Sequence, residues 1–196
     1  YDTQIKEGDI YVYDMFNLYK YENMLYTMKL SGKEVHDALE MSYDLWTNRM
    51  TSPDDHILLL RDQPREGAAD RAAFKNFSFN FDSAAGIIYT VDVTKPCGSK
   101  VTILSMADGT PFHMVALNSY RGNGGGELLT KGAGISQDEL KERIISSTDK
   151  DLRYYLMQYI EQKKVIEPRA LGQWKFIPEE WAVPASKRDY EFLFGA

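Results

Sequence analysis

The chain has 196 residues, 43% of them hydrophobic, which is enough for one full core, or two small lobes sharing one, without disulfide staples. Its 23 basic and 29 acidic residues give a net charge of −6 with no basic run, so charge-driven binding to a nucleic-acid polymer or an anionic membrane is disfavoured. The single cysteine, Cys97, excludes an internal disulfide and leaves the compartment open, and no apolar run approaches the ~20 residues of a membrane span.

The chain opens on Ile5-Lys6-Glu7-Gly8-Asp9-Ile10 without an initiator methionine, as expected of a piece cut from a longer protein. Residues 24–30 alternate as a strand does, and Ser31-Gly32-Lys33-Glu34 is a capping box. Val35, Ala38, Leu39, Ser42, Leu45 and Trp46 then repeat at helical spacing, which predicts a helix over about 32–46. From 51 to 75 the periodicity fails among prolines, glycines and charges, so this stretch reads as a surface excursion. Residues 86–93 and 100–104 form a predicted hairpin, and Asp108-Gly109-Thr110-Pro111 a further turn. A strand over 113–117 follows. Helices are announced by Ser136-Gln137-Asp138-Glu139 and by Thr148-Asp149-Lys150-Asp151, both expected to be amphipathic. Trp174-Lys175-Phe176-Ile177 is a short strand stopped by Pro178. Strands gather in the middle with helices outside them, so the expected class is α+β: one domain over 1–196 with a mixed central sheet and flanking helices.

The strand over 113–117 feeds Asn118-Ser119-Tyr120-Arg121-Gly122-Asn123-Gly124-Gly125-Gly126-Glu127-Leu128. Glycines let backbone N–H groups approach a ligand, and an arginine can fork onto phosphate or carboxylate, so the segment suits a ligand loop; it equally suits a tight turn. It fits neither the P-loop nor the dinucleotide-binding fingerprint, which disfavours a nucleoside triphosphatase or a Rossmann dehydrogenase. His36, His56 and His113 lie far apart, no metal-binding spacing exists, and Cys97 has no nearby histidine in sequence. A ligand loop without a reaction centre is what a recognition domain shows when its catalytic partner lies elsewhere in the polypeptide.

Gly8-Asp9-Ile10, Phe16-Asn17, Tyr21-Glu22-Asn23-Met24-Leu25, and the strand ending in Ser31-Gly32 together resemble the opening of the 5′-nucleotidase C-terminal domain. Phe81 to Gly86, Tyr89, Val91, Asp92, Lys95-Pro96, and Asn118-x-Tyr120 with Gly124-Gly125 extend the resemblance to about Ile177. Within that family, Tyr19-Lys20-Tyr21-Glu22-Asn23 and Asn118-Ser119-Tyr120-Arg121-Gly122 look closest to the branch of bacterial 2′,3′-cyclic-nucleotide 2′-phosphodiesterase/3′-nucleotidases.

The resemblance implies an exported protein, periplasmic or at the cell surface. Its N-terminal metallophosphoesterase domain would hold two divalent metal ions, while this metal-free C-terminal domain grips the nucleoside or nucleotide without inserting into a membrane. Family members sandwich the base between two aromatic rings, and each stacked base is worth ~1–3 kcal/mol. Phe81 matches the first ring, with a core role as its alternative. The second falls on Leu128, and the family's preceding Asp-Gly is Gly126-Glu127 here. That departure leaves three openings: Tyr120 or another ring takes the stack, the base is held weakly, or the fold serves as a binding or structural module without nucleotide recognition. Asn23 and Asn123 match amides able to read base or sugar, Asn118 belongs to the matched Asn118-x-Tyr120 signature and is expected at the site with them, and Tyr21 and Tyr120 add rings. Arg121 is either a phosphate or ribose contact or the partner of a loop carboxylate. A free-standing enzyme is the reading with least support, and the isolated chain is expected to be catalytically inert.

Overall fold

The first element is a helix the sequence does not announce, α1 (Val12–Leu18), begun where the Asp14 carboxylate takes the Tyr11 N–H at 2.7 Å. Only Met15 is buried in it, so no amphipathic stripe marks it. Strand β1 (Met24–Leu30) runs into the predicted capping box. Ser31 Oγ accepts the Glu34 N–H at 3.2 Å, Glu34 accepts the Ser31 N–H at 2.7 Å, and α2 (Gly32–Trp46) follows. The computed structural model describes residues 4–61, 74–105 and 113–194. Residues 62–73 of the expected excursion, and the expected Asp108-Gly109-Thr110-Pro111 turn, lie outside them.

The hairpin forms as predicted: β2 (Tyr89–Asp92) pairs antiparallel with β3 (Val101–Ile103), Tyr89 opposite Ile103. Then come β4 (His113–Asn118), the short helix α3 (Ser119–Gly122), α4 (Gln137–Arg143), β5 (Ile144–Asp151), α5 (Leu152–Lys163), β6 (Trp174–Ile177) and α6 (Glu179–Phe194). The class is α+β. The strands divide between two three-stranded sheets: β4-β1-β5 is antiparallel throughout, and β3-β2-β6 is mixed, with β2 and β6 parallel.

Helix α2 is the wall between the sheets. Its Val35 and Ala38 lie on the first core, Met28, Leu30, Leu129, Ile135 and Leu140, where β1 meets the chain after the glycine loop. Val35 also touches the second core, which α2 supplies with Leu39 and Tyr43 against Tyr89, Val91 and Val101 of the second sheet. The Tyr43 and Tyr89 hydroxyls hydrogen-bond at 2.8 Å inside an aromatic cluster with Trp46, Trp174 and Phe176. Burial, reinforced by the Tyr89 hydroxyl, pushes the Tyr43 phenol far above its ordinary range, so it stays protonated. A third core, Met50, Ile57, Val93, Ala182 and Ala185, docks α6. There the buried Asp189 accepts the Leu58 N–H at 2.7 Å and contacts His56 Nδ1 at 2.5 Å.

Two expectations change. The helix start placed at Thr148–Asp151 falls in β5, and only Asp151 is the cap, accepting the Tyr154 N–H at 3.0 Å. β5 is a polar strand paired to β1 through register shifts, and the Thr148 hydroxyl takes the Leu25 N–H at 3.0 Å. Helix α5, expected to be amphipathic, buries only Arg153 and leaves Tyr159 exposed. Replacing the α2 cap, Ser31→Ala, is expected to cost about 1 kcal/mol in urea unfolding, since an orphaned first-turn N–H loses its acceptor.

Candidate functional site

The glycine loop is built around contacts within the protein. Asn118 caps α3, its Oδ1 accepting the Arg121 N–H at 2.8 Å, and this turns the chain sharply at the end of β4. Tyr120 thereby reaches the surface, 39% exposed, while Arg121 turns inward, 4% exposed. A Cβ on Gly125 would fall 2.5 Å from the Tyr120 ring, so the backbone passes directly beneath that ring. Gly126 has φ +67°, and a Cβ there would collide with the Arg121 guanidinium and lie 2.5 Å from Asn80 Oδ1. Gly124, at φ +90°, holds a backbone conformation that side chains rarely adopt. These glycines permit close packing around Tyr120 and Arg121.

Arg121 is fully occupied on one edge. Its Nε donates to Asp82 Oδ2 at 2.6 Å and Nη2 to Asp82 Oδ1 at 2.9 Å, a bidentate fork. Nη2 also reaches the Phe79 carbonyl at 3.4 Å, and Nη1 donates to the Gly125 carbonyl. Of the two roles open to it from sequence, the structure shows the loop-carboxylate pair.

The segment held by that fork carries the aromatic residues. A 3₁₀ turn at Ser78–Asn80 breaks the alternation of Phe77, Phe79 and Phe81. Phe81 is half-buried, stacked on Trp46 with centroids 5.5 Å apart and edge-on to Phe74 at 5.9 Å. Phe77 and Phe79 stay half-exposed and stack on each other at 5.2 Å. Phe79 lies edge-on to Tyr120 at 6.4 Å and to Tyr21 at 6.3 Å, and the Tyr120 hydroxyl donates to Asn80 Oδ1 at 3.0 Å. Beside them opens a cleft of about 370 Å³, lined by Asn76, Phe77, Asn80, Tyr120, Gly126 and Glu127 above Met41 and Leu45 of α2.

The remaining candidates do not line this cleft. Leu128 is 1% exposed inside the molecule and presents no face to a ligand. Asn23 and Asn118 converge on one hydroxyl, both donating to Tyr19 Oη, at 3.0 and 3.3 Å, and the neighbouring Ser119 Oγ accepts the Met24 N–H at 3.0 Å. This amide knot ties β1 to the end of β4. Asn123 is exposed, donating to Tyr26 Oη at 3.4 Å. Thus Tyr120 and Gly126 line the cleft, Tyr21 lies edge-on to Phe79, Phe81 is half-buried against Trp46, and Leu128 and Arg121 are buried. Sequence reading missed Phe77, Phe79, Asn80 and Asp82; the aromatic at every second position from 77 to 81 was the available signal.

Among the described residues, no three of His, Cys, Asp and Glu converge to hold a metal ion. Glu127 occupies the left-handed region at φ +62°, where a side chain costs about 1–2 kcal/mol. Glu127→Gly is therefore expected to raise stability slightly, by up to about 1 kcal/mol after the entropy of glycine is counted. Gly126→Ala should lower it by about 2 kcal/mol or more, both read by chemical denaturation.

The family model of the 5′-nucleotidase C-terminal domain matches residues 1–131. The chain is 31% identical over 198 aligned positions to the trifunctional nucleotide phosphoesterase protein YfkN of Bacillus subtilis, covering 91% of this chain and 12% of that protein. It is 24% identical to a 2′,3′-cyclic-nucleotide 2′-phosphodiesterase/3′-nucleotidase of Haemophilus influenzae, covering 90% of this chain and 27% of the relative. It therefore spans well under a third of either relative's length. The fold matches crystal structures from Staphylococcus aureus (TM-score 0.57, 18% identity, 83% of this chain and 29% of that one) and Thermus thermophilus, the latter a 5′-nucleotidase precursor (0.56, 21%, 89% and 29%). By motif, fold and extent of match, the chain belongs to the 5′-nucleotidase C-terminal domain family.

Proposed function

We propose that this chain is the nucleoside- and nucleotide-recognition domain of a bacterial phosphoesterase acting on nucleotides, and that Phe79 and Tyr120 take the base. The observation that carries this is the half-exposed ring cluster at the mouth of the cleft. Nucleobases present π faces on both sides, so rings that stay in water at a concave polar edge suit them. A volume of about 370 Å³ lies at the small end of ligand pockets and suits a base with its sugar. The two rings are edge-on at 6.4 Å and 77°, so a base enters by rotation of the Phe79 ring, since Tyr120 is held by Gly125 and Asn80. Asn80 and Asn76 supply amides beside the rings, each offering donors and acceptors to a base edge.

The rest of the reading concerns the longer protein. A preceding metallophosphoesterase domain of the same polypeptide would hold two divalent metal ions and perform the hydrolysis, and this domain would present the nucleotide to it. Export to the periplasm or cell surface belongs to the same proposal. Among the described residues, no helix is long and apolar enough to cross a membrane. The competing reading, a binding or structural module without nucleotide recognition, is favoured by the inward Leu128 and by Phe81 seated on Trp46.

Calorimetric titration of the chain with adenosine, AMP, 3′-AMP and 2′,3′-cyclic AMP separates the two. Saturable binding is expected, weakened about tenfold or more by Phe79→Ala and by Tyr120→Ala at unchanged melting temperature. Phe81→Ala should instead lower the melting temperature, because its ring packs on Trp46 and Phe74. Absence of binding to every ligand, in the chain and in the full-length protein, would favour the module.

A further inference from the structure

We infer that Arg121 is a positioning residue for the base site: its guanidinium fixes the gap between Phe79 and Tyr120 from inside the protein and does not touch the ligand. The inference rests on the reading of those two rings as the base site. It opposes the first use of such an arginine in a glycine loop, which is to grip a phosphate.

The two rings belong to segments far apart in sequence, joined by neither a strand pair nor a shared helix. Phe79 sits on the 3₁₀ turn that precedes Asp82, and Tyr120 on the turn capped by Asn118. Arg121 connects them. Toward the first segment it donates to both Asp82 oxygens, at 2.6 and 2.9 Å, and to the carbonyl of Phe79 itself at 3.4 Å. Toward the second it donates to the carbonyl of Gly125, whose backbone underlies the Tyr120 ring. Four of the five N–H donors of the guanidinium are thereby directed at protein acceptors.

Burial and stereochemistry agree with this assignment. Arg121 is 4% exposed, whereas the rings it spaces are 39% and 49% exposed. Gly126 must lack a Cβ because the guanidinium occupies that place, so the turn is shaped to the arginine. A planar fork with two fixed N–H directions holds Asp82 in one orientation, which a lysine ammonium cannot do. The Tyr120 hydroxyl on Asn80 Oδ1, at 3.0 Å, is the second tie across the same gap, and it adjoins the ring edge rather than the base position.

The test uses the 196-residue chain, its Arg121→Lys variant and, as a second break of the fork, Asp82→Asn. Melting temperature and NMR line dispersion confirm that each is folded. In the ligand-free chain the Phe79 and Tyr120 ring protons should show a mutual NOE, which both variants lose. In titrations, both variants should weaken adenosine and AMP by the same factor, tenfold or more. Selective loss of AMP would overturn the inference, because the guanidinium would then be a phosphate contact. Retention of the NOE and of both affinities, with only the melting temperature lowered, would also overturn it, because the fork would then be structural alone. In the unmutated chain, the Arg121 Nε–H resonance should respond equally to adenosine and AMP; a response to AMP alone counts against it. If the wild-type chain binds neither ligand yet the variants lose the NOE, the positioning role stands and the nucleotide reading fails.

Discussion

One ion pair governs how the ring-lined surface beside the cleft is assembled. The chain between the hairpin and the long α2 helix approaches the glycine loop through Asp82, and Arg121 reaches back from the loop to take both of its oxygens. The guanidinium is buried while Asp82 is 42% exposed, so desolvation falls mainly on the arginine. Removing one partner of a buried pair costs ~3–5 kcal/mol, and the exposure of Asp82 places this pair toward the lower end. Of the three consecutive glycines, Gly126 makes way for that guanidinium and Gly125 for the Tyr120 ring, while Gly124 supplies a backbone φ of +90°.

Behind that pair stands α2, which serves both sheets. Its first turn is fixed by the Ser31–Glu34 box, and the Glu34 carboxylate also pairs with Arg143 at 3.0 Å, which ties α2 to the end of α4. Its middle supplies Leu39 and Tyr43 to the aromatic core, and its Met41 and Leu45 form the floor of the cleft. A single helix therefore sets the distance between the hydrophobic interior and the ring-lined mouth. Phe81, stacked on Trp46 at the end of α2, anchors to that interior the segment that presents Phe79 outward.

Much of this was legible where local chemistry and burial point the same way. The capping box, the helical repeat of Leu39 with its neighbours and the β2–β3 hairpin all have short-range signatures, and all three form. Elements without such a signature escaped. β5 reads Ile-Ile-Ser-Ser-Thr-Asp-Lys-Asp and takes its stability from pairing with β1, not from an alternating apolar face. α6 buries only Ala182, Ala185 and Asp189 and carries Pro184, so small residues and an acid stand where an apolar stripe would be sought. At the site the loop was visible but its geometry was not. The sequence cannot say that a 3₁₀ turn sends Phe79 outward and Phe81 onto Trp46, nor that Arg121 meets a carboxylate 39 residues away. Those facts depend on tertiary contacts.

The central claim is that a base enters between rings spaced by a buried arginine. A crystal structure of the chain with adenosine tests it most directly. The account predicts the purine between Phe79 and Tyr120, with Phe81 still on Trp46 and the Arg121 fork still on Asp82. A purine stacked on a displaced Phe81, or a guanidinium swung from Asp82 onto the ribose, would contradict it.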